Sequence, residues 1–166
     1  MFVFAALFVA SSLCVSASAL EVKNPIDLAA VETVVSQSVE VLPNGLTAVT
    51  TISERIQSNY AYAAKASYTK TGSKTTTLKN GNTVLFTFTV NGTFSYTPGV
   101  SATCTASSYS YSIGSGSDWK FDYGSANRSG NTAIADGHFY RKILFITVDT
   151  YNAHETLTCD SNGNLS

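Results

Sequence analysis

The chain has 166 residues, 10 Lys/Arg against 11 Asp/Glu, a formal net charge of −1 and only 13% charged residues. Its charges are scattered, so no basic stripe is available to neutralise phosphates; this argues against nucleic-acid binding and gives no electrostatic reason to expect binding to anionic membranes. Thr, Ser, Tyr, Asn and Gly supply most of the polar surface instead, as in many exported β-proteins.

The chain opens on an apolar run, Met1 to Ala19, that ends in Ala17-Ser18-Ala19 and is followed by the charged Leu20-Glu21-Val22-Lys23. An apolar core followed by small residues at −3 and −1 is the pattern of a secretory signal peptide. Residues 1–19 are therefore expected to be removed, leaving a secreted, extracellular product. The uninterrupted apolar core is broken by Ser11, Ser12, Ser16 and Ser18, short of the roughly 20 apolar residues a membrane span needs. No later segment is long and apolar enough to span, so no membrane span is expected after cleavage.

Residues 20–58 form an N-terminal segment of less regular pattern. Asn24-Pro25-Ile26-Asp27 can start a short helix through Gln37, with Leu28, Val31, Val34 and Val35 near helical spacing. Val41-Leu42-Pro43-Asn44-Gly45-Leu46 reads as strand-turn-strand. The segment is expected to be mobile or to lie on a sheet edge.

From residue 59 on, the pattern has period two. Tyr60, Tyr62, Ala64, Ala66 and Tyr68 share one face of a strand ending at Thr71-Gly72-Ser73, followed by a short strand from Lys74 to Leu78 and a hairpin at Asn80-Gly81. Val84, Phe86, Phe88, Val90, Phe94 and Tyr96 alternate with Thr83, Thr87, Thr89, Thr93 and Thr97, the mark of a half-buried antiparallel strand. A hairpin at Asn91-Gly92 would set Phe88 opposite Ser95 and mix the faces, so one long strand with a kink or bulge at Gly92 is expected. Thr97-Pro98-Gly99 is a turn. Ala102, Cys104 and Ala106 keep one parity, then the phase slips to Tyr109, Tyr111 and Ile113, which predicts a bulge near Ser107-Ser108. Trp119, Phe121 and Tyr123 alternate again, Gly124 to Asn131 reads as a polar loop, and Thr132 to Tyr140 as a strand. Ile143 to Val148 is apolar on both parities and is expected to be a central strand. Glu155 to Cys159 is a final strand, and the last seven residues a frayed tail. Many short strands without βαβ alternation define an all-β fold, a single antiparallel β-sandwich over residues 59–166.

Cys14 leaves with the signal, so Cys104 and Cys159 remain, both on the apolar parity of predicted strands. In an oxidising compartment they are expected to form a disulfide, worth about 4 kcal/mol in the chain-entropy account. The order Cys104, Trp119, Cys159 resembles that of immunoglobulin domains, but Leu157 stands where that fold has a Tyr, and no strand follows the second Cys. The likeness supports an Ig-like architecture, not a true immunoglobulin domain.

A closer resemblance covers residues 68–166. Lys74-Thr75-Thr76-Thr77, Val90-Asn91-Gly92-Thr93-Phe94-Ser95-Tyr96, Ala102-Thr103-Cys104-Thr105, Trp119-Lys120, Ser129-Gly130-Asn131-Thr132-Ala133 and the ending from Leu157 to Ser166 resemble a group of small secreted β-rich proteins of unknown function from Gram-positive bacteria. The resemblance implies secretion and a β fold, and it implies no catalytic residue.

Chemistry is sparse. Asp136 and His138 share a strand face, with His154 and Glu155 further along, a constellation that serves acid–base work in a small secreted hydrolase. The spacing matches no metal-ligand or nucleophile motif, so no metal, cofactor or catalytic set is assigned. Asp160-Ser161-Asn162-Gly163-Asn164 has the flavour of a calcium loop, with its glycine misplaced for an EF-hand. Tyr109, Tyr111, Trp119 and Tyr123 are the candidate ligand-binding residues, able to stack on sugars or anchor a protein. The expected function is a non-enzymatic binding module for a surface glycan or protein. The alternatives are a structural or self-associating protein, with Thr83 to Tyr96 as its exposed edge, and the hydrolase.

Overall fold

A computed structural model describes residues 31–56 and 67–166. The expected signal peptide, Cys14, the start of the predicted helix and the strand positions Tyr60 to Ala66 lie outside the described residues.

The described residues form eight strands: β1 Val31–Val41, β2 Thr47–Ile56, β3 Tyr68–Asn80, β4 Thr83–Thr97, β5 Ser101–Ile113, β6 Trp119–Ser129, β7 Thr132–Ile143 and β8 Ile146–Thr158. They build two antiparallel meanders, a five-stranded sheet in the order β1 to β5 and a three-stranded sheet in the order β6 to β8. The sheets pack face to face, β3, β4 and β5 against β6, β7 and β8, while β1 and β2 overhang the smaller sheet. The all-β sandwich read from the sequence is what forms. No helix among the described residues is long and apolar enough to cross a membrane.

β4 supplies the centre of the core. Phe86, Phe88, Val90 and Phe94 are fully buried, and the threonines between them point outward. Phe86 stacks on Phe139 of β7 with ring centroids 3.9 Å apart, and Phe88 meets Phe139 edge-on. Gly72 and Gly92 are cross-strand partners. A Cβ on Gly92 would come within 2.5 Å of the Phe94 ring, so the glycine makes room for an aromatic rather than for a turn.

Several elements depart from the sequence reading, each for a physical reason. Val31 to Gln37 is strand, not helix: the β-branched residues Val31, Thr33 and Val34 find cross-strand partners in β2, with Val35 as the extra residue at a bulge, and pairing outweighs a marginal helical spacing. Gly72 does not end a strand, because β3 runs through it and Leu165 packs on its bare backbone. The phase slip in β5 falls at Thr105, the unpaired residue between Cys104 and Ala106, slightly before the expected bulge. Residues 124–129 are strand, not loop; their polarity reflects a solvent-facing position in β6, the outer strand of its sheet. The C-terminal tail is docked: Thr158 and Ser166 exchange backbone hydrogen bonds of 2.9 and 3.0 Å, and Leu165 is buried. Asp160 organises that tail, its carboxylate accepting from the backbone N–H groups of Asn162 and Asn164 and from the Asn164 side-chain amide. These bonds hold the Asp160 carboxyl below its ordinary range.

The largest correction concerns Ile143 to Val148. It is the tip of the β7–β8 hairpin, with Phe145 98% exposed. A run apolar on both parities satisfies a doubly buried strand and an unsupported apolar tip equally well, and the sequence pattern does not distinguish them. Thr83 to Thr97 is no edge either, since β4 lies between β3 and β5; among the described residues the outermost strands of the two sheets are β1, β5, β6 and β8.

Candidate functional site

The four aromatic candidates do not converge. Tyr109 is half-buried between Phe88 and Phe121, and Tyr111 stacks on Phe121 with centroids 3.8 Å apart, so both belong to the seam between β5 and β6. Trp119 is only 4% exposed and tilts against Phe86. Tyr123 is 63% exposed on the opposite face. The cause is a bulge: Asp122 is an extra residue between the paired Phe121 and Tyr123, and it turns Tyr123 outward.

The outer face of the three-stranded sheet holds the histidines. His154 is the direct cross-strand partner of Asp136, and its Nδ1 lies 2.6 Å from Asp136 Oδ1. His138 has a different carboxylate: its Nδ1 lies 3.3 Å from Asp122 Oδ2 without hydrogen-bond alignment, and Tyr123 stacks parallel on its ring at 5.2 Å. Asp136, His138 and His154 are thus split into two separate His–Asp pairs. Among the described residues, no hydroxyl or thiol hydrogen-bonds to either imidazole. Gly137 separates Asp136 from His138 for packing, since a Cβ there would meet the Phe88 ring at 2.6 Å.

Glu155 does not join this face. It points inward, where it lies 3.8 Å from Lys74 Nζ and near the Thr76 hydroxyl. Burial pushes its carboxyl above the ordinary range, and the Thr76 hydroxyl and the Lys74 charge only partly offset that. Neighbouring residues of a strand face opposite ways, so the sequence neighbours His154 and Glu155 do not form one site.

Cys104 and Cys159 are buried, unbonded thiols. The backbone N–H of Cys104 donates to Gly130 and that of Cys159 to Asn131, so the β6–β7 turn sits between their strands and neither strand pairs with the other. Burial raises both thiols above their ordinary pKa.

A concave feature lies at the end of the sandwich where the β1–β2, β3–β4 and β5–β6 connections meet β7 and β8. It is a cleft of about 440 Å³ with Trp119 in its wall and a polar lining from Asn44, Asn80, Asp118, Arg141 and Asp149. Arg141 reaches toward Asp149 at 3.8 Å, and its Nε is buried without a hydrogen-bond partner. These residues come from five separate stretches of chain, and no spacing signal unites them. Of the cleft residues, Trp119 alone carries a signal in the sequence. The volume falls within the range of small-molecule sites, and side-chain amides, carboxylates and a guanidinium are the groups that hold hydroxyl-rich ligands.

No family model, curated protein or solved structure matches this chain.

Proposed function

We propose that this chain is an exported, non-enzymatic β-sandwich that binds a surface glycan in the cleft beside Trp119. The observation that carries the reading is the polar lining of that cleft: the Arg141 guanidinium, 3.8 Å from Asp149, together with Asp118, Asn44 and Asn80. Sugar hydroxyls can donate to the carboxylates and accept from the amides and guanidinium of such a lining. The signal-like start and the resemblance to secreted proteins of Gram-positive bacteria support export. A glycan array followed by calorimetry tests binding. Asp118→Ala and Asn80→Ala should weaken it roughly 10- to 100-fold, the loss of about one or two charged or polar hydrogen bonds, with unchanged thermal stability. A folded protein that binds nothing on the array would sink the reading. Loss on Tyr123→Ala instead would move the ligand to the outer face of the smaller sheet.

A second reading, self-association, is favoured by one observation. β1 is an edge strand exposed along its whole length, with Val31, Val34, Val35, Val39 and Val41 open to solvent. Such an edge is a template for another chain. Light scattering on the eluting protein tests it, and a monomer across the accessible concentration range counts against it.

Export would also expose Cys104 and Cys159 to oxidant. Intact mass of the secreted product, with and without reductant, reads both the expected start at Leu20 and any disulfide acquired after folding.

A further inference from the structure

The tip of the β7–β8 hairpin is the most anomalous surface of the molecule. Ile143, Leu144, Phe145, Ile146 and Val148 are all exposed. Leu144 and Phe145 occupy left-handed backbone, with φ of 47° and 71°, and they are the only non-glycine residues with positive φ among those described. Large side chains rarely take that conformation, because Cβ crowds the following carbonyl. Asn or Gly would fit the turn without strain and without exposing apolar surface. The sequence therefore accepts two costs at one place, and strain of this kind clusters where a segment has a task.

What could cover the tip follows from its shape and flanks. A convex two-strand tip with five apolar side chains offers a few hundred Å² of surface by the usual area per side chain, roughly, whereas a stable protein interface needs about 800 Å² from each partner. A second copy meeting tip to tip meets the same shortfall. A lipid surface needs no complementary shape. Directly behind the tip, Lys142 lies over the Tyr140 ring at 5.0 Å, and Lys120 is the cross-strand neighbour of Tyr140. Apolar residues first, then aromatic and basic ones, is the order met in crossing from acyl chains to anionic headgroups. At about 3.3 Å per residue, Lys142 lies some 7 Å behind the apex, which matches an insertion depth of roughly 5–10 Å.

We propose that Leu144 and Phe145 insert into the interfacial region of a phospholipid membrane, with Lys142 and Lys120 against anionic headgroups. The proposal does not depend on glycan binding, and sugar-free lipid tests it separately. The full chain is floated with vesicles of phosphatidylcholine alone and of phosphatidylcholine with phosphatidylglycerol. Any contribution of the apolar start of the chain is common to wild type and variants. Binding to the anionic vesicles should exceed binding to the neutral ones, and the double substitution Leu144→Asn/Phe145→Gly should lower it at least 10-fold while leaving the fold intact. Lys142→Gln should lower binding to anionic vesicles about two- to fivefold and leave neutral vesicles unaffected. In a Phe145→Trp variant, tip emission should shift to the blue on vesicle addition and be quenched by lipids brominated near the headgroup, with the buried Trp119 as an internal constant. Equal flotation of wild type and the double variant overturns the proposal. So does tip emission from the Phe145→Trp variant that stays unshifted when vesicles are added. Tip-dependent dimerisation without lipid would assign the surface to a second copy instead.

Discussion

Among the described residues three hairpins close with two-residue turns, and they close differently. Asn80 pairs with Thr83 around Gly81-Asn82, Ser129 pairs with Thr132 around Gly130-Asn131, and Ile143 pairs with Ile146 around Leu144-Phe145. Gly81 and Gly130 both take φ of 56°, a conformation glycine adopts freely. The third turn demands left-handed geometry of two residues with bulky side chains. The first two tips carry only glycine and asparagine and present no apolar side chain. The third presents apolar surface, and it does so against both local backbone preference and solvation. Within one fold, then, turn chemistry separates connections that put glycine at positive φ from one that puts bulky apolar side chains there.

The strongest way to break this comparison is to contrast two phenylalanines of the same hairpin. Phe139 is fully buried against Phe86 and Phe88, and Phe145 is almost fully exposed. Phe139→Ala should cost about 3–5 kcal/mol through the cavity left in a core that cannot collapse around it. Phe145→Ala should change stability by no more than about 0.5 kcal/mol. Urea unfolding of the two variants measures both. A large loss at Phe145 would mean that the tip is covered in the folded protein.

A smaller effect sharpens the comparison. Leu144→Asn/Phe145→Gly gives the third hairpin a turn pair suited to positive φ. It should raise stability by about 1 kcal/mol, since relief of left-handed strain exceeds the added flexibility of glycine in the unfolded chain. Gly81→Ala should move the other way by about 1 kcal/mol, because its φ is positive though nothing crowds a Cβ there. If both changes prove neutral, the strain argument for the third tip fails.

How far the sequence reveals all this depends on which rule competes with which. β4 is legible because parity, threonine alternation and the Asn80-Gly81 and Pro98-Gly99 signals all agree. Ile143 to Val148 is not, because hydrophobicity is evidence of burial only when nothing else asks for exposed apolar groups. The polar stretch 124–129 misleads in the opposite sense, since an outer strand of a small sheet needs little apolar surface. The tail reads as frayed because Leu165 finds its place on Gly72, far earlier in the chain, a contact no local pattern announces. For the same reason the end cleft is invisible: Asn44, Asn80, Asp118, Arg141 and Asp149 meet only when five separate stretches fold together. The Asp136–His154 pair lies nearer to hand, because both fall on outward positions of neighbouring strands.

The smallest effect concerns pH, and it separates the solvated outer face of β8 from its buried inner face. His154 and Glu155 are adjacent, yet His154 pairs with Asp136 in solvent while Glu155 is held inside near Lys74, Thr76 and Tyr151. Desolvation raises the Glu155 carboxyl above its ordinary value, so the folded state holds this proton more tightly than the unfolded chain does. Its contribution to stability is then fully present below the unfolded carboxylate pKa, about 4.3–4.5, and is lost as pH rises through the folded pKa. Glu155→Gln keeps the shape and the Thr76 contact and removes the titration. Relative to wild type, the variant should gain stability as pH rises across that window, and the gain should level off once Glu155 is fully ionised. Tyr151, pushed up first by burial and then by the Glu155 charge, should titrate lower in the variant. Thermal unfolding of both proteins from pH 4 to 8, with a phenol titration by ultraviolet absorbance, reads both effects. A difference between the two proteins that grew as pH fell would mean that the Lys74 ion pair outweighs desolvation and that the inner face holds Glu155 as a stabilising charge.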